Sequence, residues 1–179
     1  MVLRLLHPVH PAQVWSSERD TMILMRQALK GLTDVNGTPT ILQAVVRRES
    51  RSLLLYIGDS FPWTTDEHAS DLGRLRHLVK REANAISAVG KYHVRQRITP
   101  PFAGSYPASF TSCNFIDIAY LLPRLMKAQE LLIADLTADI ARVHEVDAKK
   151  QLEALFTVKQ ATLAGLAALL SSHTPTASA

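Results

Sequence analysis

Residues 72–93 read LGRLRHLVKREANAISAVGKYH. Within them Leu72, Leu75, Val79, Glu82, Ile86, Val89 and His93 recur in alternating steps of three and four, the period of one face of an amphipathic helix. Glu82 breaks the apolar character of that face, and the spacing places it in the seam among the leucines rather than toward solvent. The helix is predicted to open at a capping box over Thr64–Glu67, where a threonine hydroxyl and a glutamate carboxylate satisfy each other's free amide groups, and to end near Arg97.

Outward from this stretch the same pattern recurs three times. On the N-terminal side, Thr38 is expected to cap a helix with Pro39 at its first position and Gly58 as its stop; its stripe is Leu42, Val45, Glu49, Leu53 and Tyr56. On the C-terminal side, Asn114 is expected to cap a helix carrying Ile118, Leu122, Leu125, Gln129, Leu132, Leu136, Ile140 and Val143 on its inner face. A last helix, from near Ala148 to Leu170, carries Leu152, Leu155, Lys159, Leu163, Leu166 and Leu170. Each stripe thus holds one polar residue near its middle: Glu49, Glu82, Gln129 and Lys159. No strand pattern competes, so the fold class is all-α, with a four-helix bundle over 38–172. An N-terminal arm and helix are expected over 1–37, with Met22, Met25, Leu29 and Leu32 on one face of a helix from Ser17 to Thr33, and a disordered tail over 173–179.

Short links make the first and second, and the third and fourth, bundle helices antiparallel hairpins. Residues 98–113, ITPPFAGSYPASFTSC, are a longer connector. Extended, it reaches about 55 Å, against about 45 Å for the helix before it. It can therefore run the length of the bundle, which permits the second and third helices to be parallel and leaves an antiparallel arrangement open.

The composition excludes several classes of function. The densest basic stretch, Arg74, Arg76, Lys80 and Arg81, alternates with Leu75, Leu78 and Val79; that is a solvated helix face, and no nucleic-acid partner is expected. Cys113 is the single cysteine, which rules out an intrachain disulfide and a cysteine-based metal site. The apolar run at the N-terminus is too short for a secretory signal, and no stretch of 18 uninterrupted apolar residues occurs. No membrane association is expected, and the expected compartment is the cytoplasm. No phosphate-binding glycine loop, metal-binding histidine pair at helical spacing or nucleophile elbow is present.

Two long hairpins joined by a long crossover, with carboxylates at mid-helix, resemble the ferritin-like superfamily over residues 39–170. The resemblance implies a di-metal site built from one Glu on each of two helices and Glu-x-x-His on the other two. Glu49 stands where the first glutamate belongs, and Glu82 where the second helix opens its motif. The chain departs from the pattern three residues later, where Ala85 replaces the histidine. The third helix offers Gln129, or Glu130 if the helix is rotated slightly. The fourth offers Lys159 and Gln160 followed by Ala161, Thr162 and Leu163. Both Glu-x-x-His motifs are missing.

A buried carboxylate pair needs a counter-charge, and a lysine supplies one positive charge and three donors. The expectation is therefore an internal layer in which Lys159 bridges Glu49 and Glu82 and Gln129 completes the hydrogen bonds, with no metal and no cofactor. The alternative is iron or manganese on Glu49, Glu82 and Glu130, serving a carboxylate-bridged di-iron or di-manganese oxidoreductase. His93 stands about 16 Å along the helix from Glu82, too far to share an ion with it. A third reading, Lys159 as a base or Schiff-base nucleophile, is opposed by the carboxylates that would hold it charged.

Tyr56, with Phe102, Tyr106 and Phe110 of the connector, forms a candidate ligand or partner surface; the competing reading is that these rings staple the connector to the helices. The methionine face near the N-terminus could be buried in a homodimer. The function expected from the residues is a structural or binding role, leaning away from catalysis, with no small-molecule ligand identified.

Overall fold

The computed structural model describes residues 37–173. The arm and helix expected over 1–36 lie outside the described residues, and so does the tail over 174–179. The unit that begins at Gly37 is compact by itself. Among the described residues there are five α-helices and no strand: α1 Thr38–Glu49, α2 Leu53–Asp59, α3 Ala69–Arg95, α4 Ile118–Arg142 and α5 Val146–His173. Two 3₁₀ turns, Asp66–His68 and Ala108–Cys113, precede α3 and α4.

The helices lie where the stripes are, but several ends differ from expectation. The first bundle helix is two helices. Gly37, not Thr38, is its N-cap, and it stops at Glu49. Ser52 then adopts an extended conformation and accepts a hydrogen bond from the Leu55 amide, which starts α2. A serine cap of this kind satisfies one of the free amides of a new first turn. The interruption shifts the helical phase by one residue: Leu54 and Ile57 are buried in α2, while Leu53 and Tyr56 are only half-buried. Gly58 does not stop the helix. It sits inside α2, where an added Cβ would lie 2.9 Å from Val79 Cγ1 on α3, so its lack of a side chain permits the close approach of the two helices.

The capping box at Thr64 does not form. The Trp63 amide donates to the Ile116 carbonyl at 3.2 Å, and the Ile118 amide donates to the Trp63 carbonyl at 2.9 Å. This pairing holds residue 63 extended, so the chain turns only at Asp66 and enters α3 at Ala69. Asn114 is not the cap of α4 either. Asp117 takes that place through its Oδ1, which accepts from the Ala119 amide at 2.7 Å; Asn114 instead accepts from the Tyr56 hydroxyl at 2.6 Å. At the far end, Ser171, Ser172 and His173, expected to be frayed or tail, form the last turn of α5.

The core consists of two apolar clusters. One gathers Ile41, Leu42 and Val45 from α1, Ile86, Val89 and Tyr92 from α3, Leu136 from α4, and Leu152 and Leu155 from α5. The other gathers Leu54 and Ile57 from α2, Leu75 and Leu78 from α3, Leu121, Leu122 and Leu125 from α4, and Leu166 and Leu169 from α5. The end of α3 therefore shares a cluster with the end of α4 and the start of α5. This makes α3 and α4 parallel and sends the connector along the whole length of the helices. α5 packs on both α3 and α4, while α1 and α2 close the opposite side. By length and composition alone α5 could cross a membrane, with a mean hydropathy of 1.4 over its most apolar window. Exposed alanines at 154, 161, 164 and 168 contribute to that value.

Candidate functional site

Between the two apolar clusters lies a layer of polar side chains, one from each of α1, α3, α4 and α5. Glu49, Glu82 and Lys159 are wholly inaccessible and Gln129 is 1% exposed. The Lys159 ammonium lies 2.7 Å from Glu49 Oε2 and 2.9 Å from Glu82 Oε1. It forms a close ion pair with Glu49 and donates a hydrogen bond to Glu82. Gln129 uses both ends of its amide. Its Nε2 donates to Glu82 Oε2 at 2.6 Å and to the Lys159 carbonyl at 3.4 Å, and its Oε1 accepts from Lys159 at 3.4 Å.

The layer continues outward through a residue that the stripe pattern missed. Arg48 Nε donates to Glu49 Oε1 at 3.2 Å, and its Nη1 donates to Asp139 Oδ2 at 2.8 Å. Arg48 is adjacent to Glu49, one step off the inner face of α1, and nothing in a 3.6-residue period marks that flanking position, although a basic residue beside a buried glutamate is a usable signal. Asp139 stands three residues after Leu136 and four before Val143, on the inner face of α4, and is more buried than the Ile140 that the stripe assigned there. Burial pushes the Glu49 carboxyl above the usual carboxylate range, against the pull of Lys159 and Arg48. Burial disfavours the Arg48 cation, but the Asp139 hydrogen bond and the charges of Glu49 and Asp139 outweigh it and hold the guanidinium above its ordinary value.

A carboxylate-bridged metal pair does not fit these residues. The donors in the layer are two carboxylates, one amide and one ammonium, and the ammonium already sits against both carboxylates. The negative charge of Glu49 and Glu82 that would attract two divalent ions is already engaged by Lys159, and on the Glu49 side by Arg48. Glu130, the third carboxylate of the alternative ligand set, is exposed to solvent on α4. His93 is buried one end away, with its Nδ1 3.2 Å from the Val89 carbonyl.

The candidate aromatic surface divides in two. Tyr56 packs edge-on against Tyr106, with ring centres 5.2 Å apart, and against Phe110 at 5.6 Å. These three rings pin the connector to α2. Burial, with the charge of Asp59, raises the Tyr106 phenol above its usual range. Phe102 takes no part, being 88% exposed. The connector is tied at its start as well, where Gln43 Nε2 donates to the Thr99 carbonyl at 2.9 Å. Cys113 is buried in the second apolar cluster.

No family model matches the chain, and neither a curated protein nor a solved structure matches it.

Proposed function

We propose that this chain is a ferritin-like four-helix bundle in which an internal salt bridge stands at the position of the metal pair, and that it serves a structural or binding role rather than oxidase chemistry. The observation that carries this reading is the Lys159 ammonium within 2.7 and 2.9 Å of Glu49 and Glu82 in a layer closed to solvent. A parallel α3–α4 pair joined by a connector running end to end agrees with the crossover of that superfamily. The layer has no water-accessible face through which a substrate could reach it, and two carboxylates around one ammonium favour a charged, non-nucleophilic lysine.

A crystal structure grown in excess Fe(II) or Mn(II) tests the reading. The expected result is a lysine nitrogen between Glu49 and Glu82 and no anomalous scattering peak there. A peak bridging the two carboxylates, with Lys159 displaced, would overturn it. Iron oxidation by the purified protein at a rate above that of buffer would count against it equally.

A further inference from the structure

The start of α3 and the end of α5 meet at the end of the molecule opposite the α4–α5 turn, and three side chains converge there. Asp71, in the first turn of α3, is buried although charged. His68, on the preceding 3₁₀ turn, places Nδ1 3.5 Å from Asp71 Oδ2, and His173, in the last turn of α5, places Nε2 3.1 Å from the same oxygen. The three donor atoms all lie within 4.8 Å of one another. We propose that His68, Asp71 and His173 bind a divalent transition ion of the zinc class, at a site separate from the mid-helix layer.

The spacing is the first argument. Around a tetrahedral zinc with bonds of about 2.0–2.2 Å, neighbouring ligand atoms stand about 3.3–3.5 Å apart. The two nitrogen–oxygen separations, 3.5 and 3.1 Å, fall close to that edge length before any ion is considered. The second argument is the orientation of the carboxylate. Arg74 Nη1 donates to Asp71 Oδ1 at 3.0 Å, while the Ser172 hydroxyl lies 3.2 Å from Oδ2 and has its shorter partner in the Leu169 carbonyl at 2.7 Å. The Arg74 bond engages Oδ1 and leaves Oδ2 to the two imidazoles, the kind of outer-shell support that metal-binding carboxylates ordinarily have.

The third argument is an unsatisfied group. The His173 side chain is 5% exposed, and its Nε2, 3.1 Å from Asp71 Oδ2, has no hydrogen-bond partner. A buried donor or acceptor in that condition is costly, and an ion would satisfy it. The two rings are stacked, with centres 4.0 Å apart and planes 28° from parallel. Binding therefore requires the rings to turn until both lone pairs meet at one point. The Arg74 cation opposes a second positive charge nearby, but its side chain is half-exposed and its field is screened by water.

Two imidazoles and one carboxylate select zinc, cobalt, nickel or ferrous iron over calcium or magnesium, which require several oxygen ligands. Three protein ligands leave a fourth corner for water. An ion held there would clip the last turn of α5 to the first turn of α3.

Titration of the full-length chain, free of any added histidine tag, with Co(II) tests the proposal. The expected result is the visible absorption of four-coordinate cobalt at stoichiometric loading, displaced by Zn(II). It should weaken in His173→Gln by more than the roughly tenfold that losing an outer-shell partner costs, vanish in the His68→Gln/His173→Gln double variant, and persist in His77→Gln, which alters an exposed histidine of α3. No absorption in the wild-type chain would overturn the proposal, and so would a signal that survives the double variant. Should the double variant fail to fold, imidazole ¹⁵N spectra of the wild-type chain with Zn(II) decide the matter. Shifts at His68 and His173 support the site, and shifts confined to other histidines overturn it.

Discussion

An ammonium group removed from water costs several kcal/mol unless its charge and its donors are met. Lys159 meets both requirements with Glu49, Glu82 and Gln129, so the layer should be strongly interdependent. Lys159→Met leaves Glu82 without a cation and Glu49 with Arg48 alone, and unfolding in urea at neutral pH should show a loss of about 3–5 kcal/mol. Adding Glu49→Gln and Glu82→Gln to that variant should recover part of the loss, because the uncompensated charge is then gone. If Lys159→Met is neutral, the ammonium does not hold the layer together.

Glu49 carries a second prediction at this scale. Burial raises its folded pKa above the unfolded value of 4.5, so the folded state binds more protons over the window just above 4.5. The sign follows from linkage: the carboxyl's contribution to stability is fully present below the unfolded pKa and declines as pH rises through the folded one. Glu49→Gln mimics the protonated form and lacks this titration. The stability of the wild type relative to Glu49→Gln should therefore fall as pH rises from 4.5 toward neutrality, as followed by urea melts at successive pH values. A relative stability that rises over the same interval would show that Lys159 and Arg48, rather than burial, dominate the site.

At the scale of elements, the polar tie at the opposite end from the histidine cluster is open to a similar test. Tyr92, in the last turns of α3, donates its hydroxyl to Glu145 Oε1 in the α4–α5 turn at 2.7 Å. Burial, together with the Glu145 hydrogen bond and charge, pushes this phenol up to about 12 from its ordinary 10.0. The folded pKa is raised, so the contribution is present below pH 10 and lost as pH climbs from 10 through about 12. Tyr92→Phe should cost about 1 kcal/mol at neutral pH through the lost hydrogen bond. It should also remove the part of the alkaline destabilisation that the wild type shows over that window, leaving only the part due to other groups.

The elements also show what a sequence can and cannot reveal. The stripes mark the helices because burial on one face requires a 3.6-residue period, and a polar residue within a stripe is conspicuous. That is why Glu49, Glu82, Gln129 and Lys159 can be picked out from the chain alone. The ends are set by other forces. The break at Ser50–Ser52 is signalled only by a serine that caps equally well or poorly in many sequences. The start of α3 is decided by backbone pairing of Trp63 with residues 116 and 118, partners more than fifty positions away. His173 reads as tail from its polar neighbours, yet helix packing carries it onto Asp71. Arg48 lies one step off the periodic face, where charge is ordinary on a solvated surface, and Asp139 competes with its neighbour Ile140 for the same inward position, which the apolar residue wins on pattern alone.

For the whole molecule, the decisive property is the direction of α3 relative to α4, which the connector's length permits without dictating. In the structure Val89 and Leu152 share one apolar cluster, while Leu75 lies in the other with Leu166 and Leu169. The polar layer separates the two clusters. If α3 ran antiparallel to α4, the order along α5 would be inverted, and Leu152 would face Leu75 instead. Leu152→Ala and Leu75→Ala should each cost about 2–5 kcal/mol as cavities in a closed core. The pair Leu152→Ala with Val89→Ala should then be non-additive by at least about 0.5 kcal/mol, because both deletions open the same cluster. Leu152→Ala with Leu75→Ala should add within about 0.5 kcal/mol, as distant sites do. Urea unfolding of the three single and two double variants gives both couplings from one set of measurements. The reverse pattern, with coupling to Leu75 and additivity with Val89, would require the connector to fold back on itself and α3 to be antiparallel to α4.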